Sequence, residues 1–311
     1  MNGQKMINFK RLLLVAVFLC LSVNLALAQN EKLSVFVSIL PQKYFAEKLL
    51  GENGSIDVLI GPGQSPHTYE PLPQQMGKLS RADIFFSVGI PFEKALIHKL
   101  VGLCPDIRII ASDEGIEKRI MTEEHEHHDE SEHHEHGDEH HEEVHHHGVG
   151  EKDPHFWLDP DKAFAMAENM AKAIVAAKPE LQSSVVANLE GLKQEISALN
   201  AELSKTLLPY KGQTMFVFHP AFGYFADKFG LVQKSVEIEG KEPAPRQLGE
   251  LIKNCRAEGV KVIFVQKQFP ASTAKTIADS IGGKVIAIDP LAEDYIQNLK
   301  SMADLVAVPA N

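Results

Sequence analysis

The stretch 179–209, PELQSSVVANLEGLKQEISALNAELSKTLLP, shows the clearest periodicity in the sequence and decides how the fold is organised. Its apolar residues recur every three or four positions, which places them on one face of a helix. They are Leu181, Val185, Leu189, Leu192, Ile196, Leu199, Leu203 and Leu207. About 30 residues between Pro179 and Pro209, at about 1.5 Å each, give a rod of roughly 45 Å. We therefore expect a rigid helix at 179–208 that joins two lobes.

On both sides of this helix, short apolar strands alternate with helical segments, which is typical of an α/β fold with mainly parallel sheets. The pattern predicts an N-terminal lobe at 29–178 and a C-terminal lobe at 209–311, each with one sheet flanked by helices. The predicted strands are 33–40, 56–60, 83–88, 107–111, 214–218, 232–237, 261–265 and 284–288. The predicted helices are 42–50, 74–82, 92–101, 221–229, 246–257 and 272–281.

The first 28 residues have the order of a secretory signal peptide: basic residues, then an apolar run, then small residues. Lys10 and Arg11 precede the apolar residues 12–27. We expect cleavage near Ala28/Gln29 and a periplasmic mature protein. Cys20 raises a lipoprotein alternative, but the residue before it is leucine, where a lipid-attachment motif has a small residue. No later stretch has the 18 or more apolar residues of a membrane-spanning helix.

Charge and cysteine content exclude two further classes of protein, nucleic-acid binders and disulfide-stabilised scaffolds. The chain has 31 Lys and Arg against 42 Asp and Glu, a net charge of -11, so we expect no nucleic-acid partner. Beyond the leader only Cys104 and Cys255 remain. A disulfide framework is therefore excluded, and we expect two separate thiols.

Much of the negative charge lies in residues 123–147, EEHEHHDESEHHEHGDEHHEEVHHH, which hold 11 histidines and 11 acidic residues. With so little apolar surface the segment cannot offset the entropy of folding, so we interpret 121–150 as a disordered loop. Dense imidazole favours weak, multivalent capture of zinc, copper or nickel, and a solvated insert without a task is the alternative. The capture residues are His125, His127, His128, His133, His134, His136, His140, His141, His145, His146 and His147.

Two matches in this loop resemble zinc-protease motifs, HEEVH at 141–145 and HGDEH at 136–140. A segment made mostly of histidine and glutamate produces such matches by chance. Neither match has the apolar helical face that an active site requires. We assign no catalysis to them.

Four histidines lie outside the loop: His67, His98, His155 and His219. Three of them adjoin a proline, in SPH (65–67), DPH (153–155) and HP (219–220), and proline stiffens the backbone beside each ring. His98 lies in a helical segment without such a neighbour, and we expect it to be a surface or cap residue.

His219 directly follows the strand at 214–218, and Asp289 directly follows the strand at 284–288. His67 lies after the strand at 56–60 in the other lobe. Open α/β sheets bind ligands beyond the carboxyl ends of their strands. We therefore hypothesise that His67, His155, His219 and Asp289 converge in a cleft between the lobes. Three imidazoles and one carboxylate suit tetrahedral zinc, and a water in place of Asp289 is the alternative.

Four motifs together carry a family resemblance: PHTYEPLPQQMGKLSRADIFFSVG (66–89), DPHFWLDP (153–160), FHPAFGYFADKFGL (218–231) and AIDPLAEDY (287–295). In this order they resemble the periplasmic zinc-binding receptors of ABC importers, the ZnuA type within the TroA-like group. The resemblance covers essentially the whole mature chain. It implies two α/β lobes on a rigid backbone helix, with Zn²⁺ as the transported ligand. It also implies delivery to a membrane permease driven by a cytoplasmic ATPase.

The resemblance implies that His67, His155 and His219 are the three imidazole ligands and that Asp289 is the carboxylate ligand found in part of the group. Histidine rather than glutamate at 219 favours zinc over manganese. Two positions depart from the family pattern. Ser65 stands where an aspartate is usual, and Gln266 follows a strand that often leads into a glutamate, so hydrogen bonding to the ligands is expected to differ.

Other classes stay open at this point. A three-histidine zinc site with an open fourth position is also the layout of a hydrolase. However, no carboxylate is placed as an obvious general base, and we expect no enzyme. A zinc-sequestering or adhesion protein without a transporter would share every motif. We expect a monomer that binds zinc through neutral imidazoles, so its affinity falls in acid.

Overall fold

The computed structural model describes residues 32–121, 152–237 and 241–307. The first part forms a four-stranded parallel sheet in the order β2-β1-β3-β4. Its strands are β1 (Leu33–Val37), β2 (Gly54–Val58), β3 (Ile84–Ser87) and β4 (Arg108–Ala111). Its helices are α1 (Leu40–Leu50), α2 (Pro73–Leu79) and α3 (Glu93–Leu103). The central strands β1 and β3 are almost entirely buried, as expected for strands covered on both faces.

Two helices that pack against each other follow, α4 (Pro160–Ala177) and the long α5 (Gln182–Leu207). Short 3-10 turns at Pro179–Leu181 and Leu208–Tyr210 extend α5 at both ends. The predicted long helix is confirmed, with its terminal turns tightened. Its predicted apolar face is buried apart from Leu189, which is partly buried.

The second part repeats the arrangement of the first. Its parallel sheet has the order β6-β5-β7-β8, from β5 (Thr214–Val217), β6 (Val232–Ser235), β7 (Val262–Gln266) and β8 (Lys284–Ile288). Its helices are α6 (Gly223–Phe229), α7 (Pro245–Ala257), α8 (Ser272–Ile281) and α9 (Tyr295–Ala307). Because α5 packs against α1 of the first lobe and α9 of the second, the predicted fold class of two α/β lobes joined by one long helix is confirmed.

Two helices lie where the sequence pattern predicted none, α4 and α9. The buried face of α4 consists mainly of alanine and methionine rather than the leucines that line α5. Its start nevertheless carries a local signal. The Asp159 carboxylate accepts a hydrogen bond from the main-chain N–H of Asp161, and Pro160 is the first helical residue.

Several predictions concern residues outside the described ranges: the signal peptide at 1–28 and, except for Met121, the loop at 121–150. The chain enters and leaves that loop through an antiparallel bridge between Ile120 and Lys152, and Met121 is buried. Within the described ranges, no helix has both the length and the apolar character needed to cross a membrane. Cys104 and Cys255 are separate thiols, as expected.

A buried carboxylate lies at the carboxyl ends of β1 and β3. Glu93, only 2% exposed, begins α3 and accepts hydrogen bonds from the main-chain N–H groups of Val88, Gly89 and Ile90 and from the Ser38 hydroxyl. Removal of water from around this carboxylate outweighs those bonds and raises the pKa of Glu93 to about 7. The group therefore links folding stability to pH.

The folded state holds a proton on Glu93 that the unfolded chain releases near pH 4.5, so this contribution is greatest in acid and is lost as pH rises through about 7. For Glu93→Gln, which is neutral at every pH, we expect the fall in unfolding free energy between pH 5 and 8 to shrink by about 2–3 kcal/mol. Urea titration at both pH values measures it. Glu190→Gln, at an exposed position on α5, is the control. If the unfolding free energy of Glu93→Gln fell between pH 5 and 8 by as much as that of the wild type, the prediction would be contradicted.

Candidate metal centre

Three histidines converge where the two lobes meet. His67 lies in the loop between β2 and α2, His155 precedes a 3-10 turn at Phe156–Leu158, and His219 follows β5. One ring nitrogen of each lies within 4.8 Å of those of the other two. His155 and His219 are 6% and 3% exposed, whereas His67 is half-buried. Solvent therefore reaches the cluster on the His67 side.

The spacing of the rings is compatible with a metal centre. The ring centroids of His67 and His219 are 4.6 Å apart, and those of His155 and His219 are 5.4 Å apart. Tetrahedral zinc with Zn–N bonds of about 2.0–2.1 Å holds its ligand nitrogens about 3.3 Å apart. The three nitrogens, which lie within 4.8 Å of one another, would therefore have to move closer together to bind one zinc ion.

A buried aspartate orients His155. Oδ1 of Asp153 lies 2.8 Å from Nδ1 of His155 and accepts a hydrogen bond from the His155 main-chain N–H at 2.9 Å. The Asp153 side chain is fully buried. A carboxylate at Nδ1 favours the proton on that nitrogen and leaves the Nε2 lone pair for a metal.

His219 is held on two sides. Its Nδ1 lies 2.6 Å from Oε2 of Glu237, which is 4% exposed. The wholly buried amide of Gln266 accepts from the His219 main-chain N–H at 3.2 Å and donates to the His219 carbonyl oxygen. An ionised glutamate could not donate to that carbonyl. This explains why an amide rather than a carboxylate suits position 266: only the amide can pair with both main-chain groups of His219.

Aromatic rings wall the cluster. Phe269 stacks on His219, with ring centroids 5.1 Å apart and an interplanar angle of 22°, and its centroid lies 6.0 Å from that of His67. Trp157 meets His155 edge-on at 5.3 Å. These rings restrict the imidazole planes and exclude water from their faces.

Asp289 lies at the carboxyl end of β8, as expected, but the structure does not bring it into the group of three histidines. Its Oδ1 accepts hydrogen bonds from Nε2 of Gln268 at 2.8 Å and from the main-chain N–H of Leu291 at 2.9 Å. Its Oδ2 lies 3.9 Å from Nζ of Lys267. The role of Asp289 as a zinc ligand stays a prediction.

The remaining histidines are placed elsewhere. His98 is exposed on α3, in agreement with its expected surface position. The eleven histidines of 123–147 lie outside the described residues. Two carboxylates that hold the imidazoles, Asp153 and Glu237, were not among the predicted site residues. Asp153 had a signal in its position two residues before His155, whereas Glu237 reaches His219 only because β6 lies beside β5.

The arrangement suits a divalent cation with a preference for nitrogen ligands. Imidazole nitrogens favour zinc over magnesium, calcium or manganese. The two buried carboxylates lie behind His155 and His219, where their negative charge would offset that of a 2+ ion bound by the imidazoles.

Known proteins resemble this chain over most of its length. The zinc-binding protein AdcA of Streptococcus pyogenes serotype M3 is 28% identical over 284 residues, which cover 89% of this chain and 54% of that protein. The chain thus spans about half the length of the AdcA proteins that it matches.

Solved structures give the same picture. A crystal structure of ZnuA has a TM-score of 0.78 and 32% sequence identity, and the match covers 90% of this chain and 100% of that one. A ZnuA deletion mutant with zinc bound has a TM-score of 0.77 and 33% identity, over 89% of this chain and 97% of that one. The family model described as ZnuA, zinc-uptake complex component A, periplasmic, matches residues 35–307. The chain therefore belongs to the ZnuA family.

Proposed function

We propose that this chain is a periplasmic receptor that binds Zn²⁺ between its two lobes and delivers it to the membrane permease of an ABC importer with a cytoplasmic ATPase. The observation that carries the proposal is the convergence of His67, His155 and His219 within 4.8 Å. Zinc is the transported ligand rather than a resident cofactor, and the receptor acts as a monomer. The fourth ligand is Asp289 or a water.

The hydrogen bonds of the site support a receptor rather than a hydrolase. In many zinc hydrolases a carboxylate beside the metal-bound water acts as the general base. The two carboxylates that contact the histidines here, Asp153 and Glu237, each face an imidazole Nδ1 instead. They are therefore placed to hold ligands and not to take a proton from water.

The remaining parts of the chain fit the same role. Residues 1–28 act as a cleavable leader, 29–178 and 209–311 form the lobes, and 179–208 form the backbone helix. The histidine-rich loop at 121–150 collects zinc weakly and passes it inward, or reports its abundance. A zinc buffer or an adhesin without a transporter is the competing proposal, and a requirement for the chain in growth at low zinc, together with a zinc permease, separates the two.

The proposal is tested by competitive zinc titration against a chelator of known affinity. Two proteins are compared: residues 29–311, and the same chain with 122–151 replaced by a short Gly-Ser linker. This deletion retains the buried Met121 and both partners of the Ile120–Lys152 bridge. We expect one tight zinc equivalent in both proteins and additional weak equivalents only in the longer one. Loss of all tight binding with the loop would contradict a zinc site in the cleft.

A further inference from the structure

We propose that Arg119 is a positioning residue of the metal centre, because it holds the buried Asp153 carboxylate that orients His155 and fastens this point to the C-terminal lobe. The inference rests on the proposed function, since it concerns how one zinc ligand is kept in place. Arg119 belongs to none of the four sequence motifs and lies 36 positions before His155.

Arg119 compensates the negative charge of the buried Asp153 carboxylate. Oδ1 of Asp153 already faces the main-chain N–H and Nδ1 of His155. Oδ2 is buried and has no hydrogen-bond partner among the described residues. A buried carboxylate that has lost its water is strongly disfavoured unless an opposite charge compensates it. Nη1 of Arg119 lies 3.6 Å from Oδ2 and provides that charge.

The main chain fixes Arg119 and Asp153 to each other and to Tyr224 of α6. The N–H of Arg119 donates to the Tyr224 hydroxyl at 2.9 Å, and that hydroxyl donates to the Asp153 carbonyl at 2.8 Å. The N–H of Asp153 donates to the Arg119 carbonyl at 2.9 Å. These three bonds form a closed ring across the junction of the lobes. The guanidinium therefore starts from a fixed backbone position.

The surface of α6 is shaped around the guanidinium. Nε of Arg119 lies 3.1 Å from Oδ2 of Asp227, and the guanidinium carbon lies 5.9 Å from the Tyr224 ring centroid. At Gly223, an added Cβ would lie only 1.3 Å from Nη1. Three residues of one helix thus accommodate a side chain of the other lobe. On its other side, the Arg119 guanidinium faces the fully buried Asp153.

The two contacts require arginine and not merely a positive charge. Nη1 faces Asp153 and Nε faces Asp227, so one planar guanidinium addresses two carboxylates in two lobes. Lysine presents a single point charge, which reaches one carboxylate at a time. Methionine retains much of the length of the side chain and removes the charge.

The test uses the loop-deleted chain and two probes, Zn²⁺ by chelator competition and Co²⁺ by its visible absorption spectrum, which reports coordination geometry. We expect Arg119→Met to weaken zinc binding about 10- to 100-fold and to change the Co²⁺ spectrum. Arg119→Lys is expected to fall between Met and wild type. Lys228→Met, which removes a cation that pairs with Asp161 on the same surface, is the control and is expected to stay within about 3-fold of wild type with an unchanged spectrum. Asp227→Asn removes only the exposed charge that faces Nε, so it is expected to lose less zinc affinity than Arg119→Met.

Each outcome decides a separate point. Zinc affinity and a Co²⁺ spectrum of Arg119→Met that match the wild type would overturn the inference. Equal losses in Arg119→Met and Asp227→Asn, with unchanged Co²⁺ spectra, would also overturn it, because only a bridge between the lobes would then matter. If Arg119→Met does not fold, the Arg119→Lys spectrum decides. Absence of tight zinc binding in the unsubstituted protein would instead refute the proposed function.

Discussion

His219→Ala in the chain lacking 122–151 is expected to bind zinc about 100- to 1000-fold more weakly than the same chain with His219. Structural zinc sites bind with about 10–16 kcal/mol, so one ligand of four corresponds to about 2.5–4 kcal/mol. Each 1.4 kcal/mol is a tenfold change in affinity. The loop must be absent because its eleven histidines would otherwise mask the loss. Chelator competition measures the difference.

The control separates ligation from folding. His219 is buried against Glu237 and Phe269, so its removal also disturbs packing and takes a hydrogen-bond donor from a buried carboxylate. His67 is only half-buried, and His67→Ala is expected to lose a similar amount of zinc affinity at a smaller cost in stability. His98→Ala, on the exposed side of α3, is expected to bind like the parent. If both His67→Ala and His219→Ala bound zinc nearly as tightly as the parent, the prediction of a zinc site in the cleft would be wrong.

Asp289→Asn in the same background decides the fourth position. If Asp289 ligates zinc directly, the substitution is expected to lose about as much affinity as the loss of a histidine. If Asp289 only holds Gln268 and Leu291, as in the structure, the substitution is expected to lose little affinity.

Much of the fold could be predicted from local patterns because both lobes repeat one simple order. Apolar strands such as β3 and β7 are bounded by turns, and α5 has a continuous apolar face. In α4 the buried positions are mainly alanines and methionines rather than the leucines that line α5, and the sequence pattern predicted no helix there. Here the Asp159 cap was the stronger signal.

The site could be predicted only in part, for a topological reason. Histidines beside prolines and at strand ends can be recognised in the sequence, so His67, His155 and His219, which the structure brings together, could be named in advance as candidate ligands. The groups that hold them depend on which strands become neighbours. Glu237 follows β6, and Gln266 ends β7, and both reach His219 because these strands flank β5. Arg119 depends on the contact between lobes, which no local pattern encodes.

Trp157 is the other position at which a large effect is expected. It is the only tryptophan of the chain and is fully buried. Its Nε1 donates to the Pro290 carbonyl at 2.9 Å, and its own carbonyl accepts from the Tyr295 hydroxyl at 2.7 Å. The ring also meets His155 edge-on. One residue thus connects the His155 turn to the segment that follows Asp289.

For Trp157→Ala we expect a loss of about 3–5 kcal/mol in unfolding free energy, because the cavity left by a buried indole cannot fully collapse. Trp157→Phe fills most of that space but leaves the Pro290 carbonyl without its donor, so about 1–3 kcal/mol is expected. Urea titration followed by circular dichroism measures both, with Val186→Ala on the exposed side of α5 as a control expected within about 0.5 kcal/mol of wild type. A Trp157→Ala protein as stable as this control would show that the two lobes hold together without the indole. Because the same indole lies against His155, its fluorescence in the wild type is expected to change when zinc binds in the cleft.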